Sequence, residues 1–240
     1  MAAKRRLLTA KWHHLAMLNY EIAPDVLVPY LPRGTELDFF HGKTYVSIVG
    51  FQFLRTRILG VPIPWHCNFD EVNLRFYVRR RSYGTTRRGV CFIKELVPRL
   101  AVAKIANWLY NENYQAVAMR HQINRTDSTG PHVSYQWKQE QRWQGLTLTA
   151  QATLQLPAPG SFEEFIAEHY WGYTPQRDGG TVEYEVQHPP WKIWPATNAD
   201  LNCDVASLYG EPFIKPLRNL ASAFLAEGSP ISVSMPSKIC

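Results

Sequence analysis

With 240 residues, 45% hydrophobic and 19% charged, the chain carries enough apolar material to pack a core, and its composition is not that of a disordered segment. Its formal net charge of +6 invites an anionic partner, but the basic residues gather mainly in Lys4-Arg5-Arg6 and in Arg79-Arg80-Arg81 with Arg87-Arg88, so no nucleic-acid surface is expected. No run approaches the roughly 20 apolar residues of a membrane-spanning helix. Cys67, Cys91, Cys203 and Cys240 lack Cys-x-x-Cys spacing, which fits reduced thiols in a cytoplasmic protein.

In chain order, residues 1–10 read as a flexible basic terminus, too poor in apolar residues for a signal peptide, and residues 11–236 as one domain. Pro24 permits a short helix within Ala23 to Leu31, ended before Pro32. Tyr45 to Leu54 is apolar on both faces, as a central strand would be. Glu71 to Val78 alternates, with Val72, Leu74, Phe76 and Val78 on one face and Glu71, Asn73, Arg75 and Tyr77 on the other. The next residues predict a hairpin over Arg79 to Arg88 whose arginines project into solvent. Val90 to Val97 is a second central strand, with Lys94 on the face of Val90 and Phe92.

Pro98 opens a predicted helix whose Val102, Ile105, Ala106 and Leu109 form a stripe, giving a helix from Ala101 to Tyr110. Leu146 to Leu156 alternates aliphatic with polar residues. Ser161 and Glu164 form a capping-box pattern that begins a helix from Phe162 to Trp171, and Val182, Tyr184 and Val186 mark another strand. Pro195 to Pro216 has no clear period. Together these elements predict a β-rich α+β fold, a strongly curved and mainly antiparallel sheet with a few packed helices.

The candidate chemistry lies on two of these elements. In a closed sheet the Glu71, Asn73 and Arg75 face lines the interior. Directly after the second helix comes Trp108-Leu109-Tyr110-Asn111-Glu112-Asn113-Tyr114, in which Glu112 continues the stripe of Ile105 and Leu109. A carboxylate held there needs a partner such as Arg75, and two carboxylates in unequal surroundings can divide acid and base roles between Glu71 and Glu112. Adjacent histidines on a strand, His13 and His14, point to opposite faces, and no His-Glu-x-x-His spacing occurs, so neither a metal nor a cofactor is expected. No Gly-x-Ser-x-Gly elbow occurs either.

Several phrases coincide: Trp12 to Tyr20, Tyr30-Leu31-Pro32, Thr44 to Phe51, Asn68 to Arg75, and Phe162-Glu163-Glu164-Phe165 leading to His169-Tyr170-Trp171. Over nearly the whole chain they resemble the YqjF-like family of conserved uncharacterised bacterial proteins. More distantly, the order of elements is similar to the acetoacetate decarboxylase superfamily, which implies a β-barrel-like cone around a central cavity and assembly into homo-oligomers. The decarboxylases' Tyr-Asn-Glu-Val phrase corresponds to Phe69-Asp70-Glu71-Val72, and their carboxylate-binding arginine falls near His13. Their Trp-Gly-Tyr-Pro-Lys-Lys phrase corresponds to Trp108-Leu109-Tyr110-Asn111-Glu112-Asn113, where both lysines are absent.

A Schiff base needs an unprotonated amine, and neither Glu112 nor Asn113 supplies one. The resemblance thus implies the fold and cavity without the decarboxylase chemistry. It points to a small carboxylate- or carbonyl-bearing ligand held by His13, Asn73, Arg75, Trp108, Tyr110 and Asn113, with Glu71 and Glu112 as acid and base of a lyase, hydratase or isomerase. The competing expectation is a binding or sensing module that turns nothing over.

Overall fold

The computed structural model describes residues 5–62, 66–82, 84–98, 113–126 and 130–239. The period-two segments become strands. In chain order they are β1 (Arg6–Ile22), β2 (Glu36–Leu37), β3 (Thr44–Ile58), β4 (Val61–Pro62), β5 (Phe69–Ser82), β6 (Thr85–Val97), β7 (Tyr114–Ala116) and β8 (Met119–Thr126). They continue with β9 (Gly130–Gln139), β10 (Arg142–Ala150), β11 (Trp171–Pro175), β12 (Thr181–Gln187), β13 (Ile193–Asn202), β14 (Leu220–Ala226), β15 (Pro230–Ser234) and β16 (Ser237–Lys238).

Pairing runs β3-β5-β6-β11-β12-β15-β1, and β1 pairs again with β3, so this path returns to its start. Twist between neighbouring strands makes such curling natural. The β6–β11 and β6–β7 ladders are parallel and the other ladders antiparallel, which is the mainly antiparallel, strongly curved arrangement expected.

Strand β1 joins this ring to a second layer. Its first half, Arg6 to Lys11, pairs with β15, and its second half, Leu15 to Tyr20, pairs with β14. From β14 the sheet continues through β13, β10 and β9 to β8. The switch falls at a β-bulge, since His13 pairs with Gln52 but Ala16 with Gly50, one residue more on β1 than on β3. His14 has φ of 52°, and the two imidazoles stand 3.8 Å apart between ring centroids. The expectation that His13 and His14 face opposite ways fails here, because the bulge breaks the strand's alternation.

Strands buried on both faces separate two apolar clusters. Val46 and Ile48 of β3, Leu74 and Phe76 of β5, and Tyr135 and Trp137 of β9 belong to the cluster between the layers. Met17, Val49, Phe51, Tyr77, Phe165 and Trp191 belong to the cluster inside the ring. Each of β1, β3 and β5 therefore sends alternate side chains to different cores, and this accounts for strands that read as apolar throughout.

Several expectations are corrected. Strand β1 already begins at Arg6, within the stretch read as a loose basic terminus, and Leu7 is buried. The strand predicted from Leu146 to Leu156 ends at Ala150. Pro24–Leu27 is the short helix α1, as predicted, but the capping-box helix α2 covers only Phe162–Ala167. There Ser161 Oγ accepts the Glu164 backbone N–H, and Trp171, expected in the helix, starts β11 instead. The aperiodic stretch from Pro195 includes most of β13 and a helix, α3 (Val205–Tyr209). The helix predicted from Ala101 to Tyr110 lies outside the described residues.

Nor do the hairpin arginines simply meet water. Arg80 and Arg87 both pair with Glu183 of β12, at 3.1 and 2.5 Å, and Arg88 pairs with Asp38 at 2.7 Å. Arg87 also lies over the Trp171 ring and Arg88 over Phe165. Arg81, 79% exposed by side chain and 3.6 Å from the exposed Glu36, fits the solvated reading, and Arg79, 36% exposed, pairs with the same carboxylate at 3.3 Å. The acids that neutralise this cluster come from distant parts of the chain, which the local sequence does not reveal.

Candidate functional site

Inside the ring is a cavity of about 110 Å³. A water needs roughly 10–15 Å³ of such space, so a molecule of several non-hydrogen atoms fits. Its apolar wall includes Trp12, Phe51, Phe53, Phe92, Tyr184 and Trp191. Its polar lining among the described residues is Glu71, Asn73, Arg75, Glu95, Tyr114, His169 and His188.

The alternation of β5 places three of these residues. Val72, Leu74 and Phe76 pack between the layers, so Glu71, Asn73 and Arg75 turn into the ring, with 3%, 2% and 9% of their surfaces exposed. Glu71 accepts hydrogen bonds from Asn73 Nδ2 at 2.9 Å and from the Tyr114 hydroxyl at 3.3 Å. Arg75 donates from one terminal nitrogen to the Ile166 carbonyl at 3.2 Å, just before the end of α2. Among the described residues no carboxylate lies within 4.0 Å of its guanidinium, and its Nε–H has no partner. A buried cation without a counter-ion is costly, and a cavity beside it is where an anion can relieve that cost.

The second cavity carboxylate comes from β6. Leu74 pairs with Lys94 but Arg75 with Phe92, leaving Ile93 as an extra residue. After this bulge the alternation is reversed, so Glu95 joins Val90 and Phe92 in the lining while Lys94 shares the face of Leu74. The expectation that Lys94 shares the face of Val90 and Phe92 is thereby corrected. Burial lowers its pKa, but on the side of the strand away from the cavity.

His169 and His188 carry no spacing signal in the sequence. His169 follows α2, and its Nε2 lies 3.2 Å from Asp38 Oδ2, which also accepts from Arg88. Burial would raise the Asp38 pKa, but the hydrogen bonds from His169 and Arg88 outweigh it and hold the carboxyl below its ordinary value. Since an ionised carboxylate only accepts, Nε2 of His169 carries the hydrogen and Nδ1 presents a lone pair. Burial pushes the His169 pKa down to about 4, against the pull of Asp38 and with help from the charges of Arg88 and Arg75. His188, stacked on Trp191, is likewise pushed to about 4, by burial and then by Arg75, opposed by its hydrogen bond to the Pro189 carbonyl. Both imidazoles are neutral at pH 7, and Arg75 is the lining's cation among the described residues.

A pH dependence of stability follows. The folded state holds His169 near 4 against an ordinary 6.5, so the unfolded chain takes up the proton first as pH falls. Stability is full above pH 6.5 and declines towards pH 4 by up to about 1.4 kcal/mol per pH unit per histidine. The urea midpoint should drop between pH 7 and pH 4.5, and His169→Phe should reduce that slope. A slope identical in the variant would show that another group controls it.

Not every predicted site residue reaches this cavity. His13 is absent from its lining; burial, then Lys11, lower its pKa at the bulge. Asn113 is exposed and ties its segment to β6, donating to the Ile93 carbonyl at 3.0 Å, while its neighbour Tyr114 enters the lining. Trp108, Tyr110 and Glu112 lie outside the described residues. Among the described residues no three potential metal ligands converge, and no helix is long and apolar enough to cross a membrane.

A family described as an uncharacterized conserved protein matches residues 9–230, nearly all of the ring and its second layer. The chain belongs to this family, DUF2071. It is 24% identical over 188 residues to the uncharacterized protein YqjF of Bacillus subtilis (strain 168), covering 76% of this chain and 73% of the relative. Among solved structures, acetoacetate decarboxylase from Legionella pneumophila is similar with a TM-score of 0.67 and 11% identity over 98% of this chain and 88% of its own. An acetoacetate decarboxylase-like enzyme from Sphingomonas wittichii RW1 gives 0.67 and 14%, over 98% and 93%. The enduracididine biosynthesis enzyme MppR complexed with pyruvate gives 0.66 and 12%, over 99% and 91%. At such identities the likeness establishes the fold of this DUF2071 member as acetoacetate decarboxylase-like.

Proposed function

We propose that this protein is a cytoplasmic binder of a small carboxylate- or carbonyl-bearing molecule, which it holds in the ring cavity with its carboxylate on Arg75. The observation that carries this reading is the buried guanidinium, lining the cavity with no acid partner among the described residues. The pyruvate in the MppR complex is a molecule of the same class. If the bound molecule is turned over, Glu71 and Glu95 are the carboxylates near it, which suits proton transfer in a lyase, hydratase or isomerase. The same pocket without turnover is a sensing module, and the appearance of product separates the two.

The lining contains no lysine among the described residues, and Lys94 is turned away from it. Pyruvate and acetoacetate are therefore expected to raise the melting temperature, yet borohydride added with either should leave no mass adduct. A reduced adduct on any lysine would restore Schiff-base chemistry. Absence of any thermal shift across short oxo and hydroxy acids would remove the ligand class itself.

A further inference from the structure

Trp12, Asn73, Arg75 and His169 of the lining each bury one polar atom that has no hydrogen-bond partner among the described residues. Two are donors, Arg75 Nε–H and Trp12 Nε1–H. Two are acceptors, Asn73 Oδ1 and His169 Nδ1. The assignments follow from their satisfied ends: Asn73 Nδ2 is committed to Glu71, and His169 Nε2–H to Asp38. Buried polar groups are normally paired, so unpaired atoms on residues that line one cavity point to groups that a ligand supplies.

A bare carboxylate satisfies only half of this set. It accepts from Arg75 and Trp12 but offers nothing to Asn73 and His169. Two lone pairs facing an oxo group or a methyl group would remain unpaired, and sites built to receive a hydroxyl discriminate strongly against analogues without one. We infer that the natural ligand carries a hydrogen-bond donor beside its carboxylate, as a hydroxy acid does, and that its single hydroxyl proton goes to His169 Nδ1, the acceptor that selects it. This inference rests on the carboxylate-binding reading and narrows its ligand class. Asp38 and Arg88 act through His169 as positioning residues, since they fix which nitrogen keeps its lone pair.

Matched acids test it: 3-hydroxybutyrate, acetoacetate and butyrate, and likewise lactate, pyruvate and propionate, titrated by calorimetry into the whole protein. The hydroxy acid of at least one set should bind tenfold or more tighter than its oxo and unsubstituted counterparts. His169→Phe should bring that ratio below threefold. Because that variant can fail to fold, the imidazole nitrogen resonances of wild-type His169 supply a second measurement. Nδ1 should shift when the hydroxy acid is added and not with the unsubstituted acid. Hydroxy acids binding no tighter than the others, or binding without moving Nδ1, would overturn the inference and leave the carboxylate reading standing. No binding by any of the six acids would overturn both.

Discussion

Replacing Arg75 with Met should abolish the thermal response to small carboxylic acids while leaving the ligand-free protein as stable as the parent or more so. The two effects have opposite signs if, as proposed, the guanidinium serves the ligand and not the fold. Its protein partners are one carbonyl, a methionine sulfur at 3.9 Å and a distant Tyr77 ring. Truncating one member of a buried, hydrogen-bonded charge pair costs about 2–5 kcal/mol of binding. In the empty protein, exchanging a buried charge for a packed apolar chain is commonly neutral or stabilising by about 1–4 kcal/mol. Met has a similar reach and contributes no charge, so the midpoint in urea should stay or rise. A variant that loses several kcal/mol of stability would show that Arg75 is structural, and with it the reason to place a carboxylate in the cavity would go.

The second large effect concerns the seam between the layers. Gly50 sits on the face of β3 that meets β9, and a Cβ built there would lie 2.7 Å from Tyr135 Cδ2. Tyr135 has little room to yield: it is fully buried, and its hydroxyl donates to the His14 carbonyl at 2.8 Å. Gly50→Ala should thus destabilise the protein by about 3 kcal/mol, the upper part of the range for overpacked cores. Because the acceptor belongs to the β1 bulge, displacing Tyr135 also disturbs the point where β1 passes from one layer to the other. Adding Tyr135→Leu, which frees the space, should recover part of that loss in the double variant. Gly50→Ala with an unchanged midpoint would mean that the layers are more loosely packed than their burial indicates.

The strands were largely legible because alternation needs only a few residues to appear. Glu71, Asn73 and Arg75 could be assigned to one face of β5 from sequence, but alternation does not say which face meets the cavity. Tertiary closure decides that. The bulges were illegible. One extra residue at Ile93 exchanges Lys94 for Glu95 in the cavity, and another at the His13-His14 step brings two rings together that a regular strand would separate. No composition cue marks either site.

His169 is illegible for a different reason: the sequence predicts a helix from Phe162 to Trp171, and within it nothing marks His169 as a cavity residue. The helix stops at Ala167, and the turn after it delivers His169 to Asp38. The pairing of Glu183 with Arg80 and Arg87 was equally invisible, since its partners are about a hundred positions apart and meet only when β12 enters the ring. Asp38 and Arg88, drawn together from β6 and the loop after β2, belong to the same class of long-range contact.

The measurement closest to the central claim is a crystal structure grown with pyruvate or 3-hydroxybutyrate at a concentration that saturates the thermal shift. Carboxylate density inside the ring, within hydrogen-bond distance of the Arg75 guanidinium and bounded by Trp12 and His169, is the predicted result. The acid bound only on the outer surface, with Arg75 paired to a protein carboxylate and the cavity filled by side chains, would contradict it.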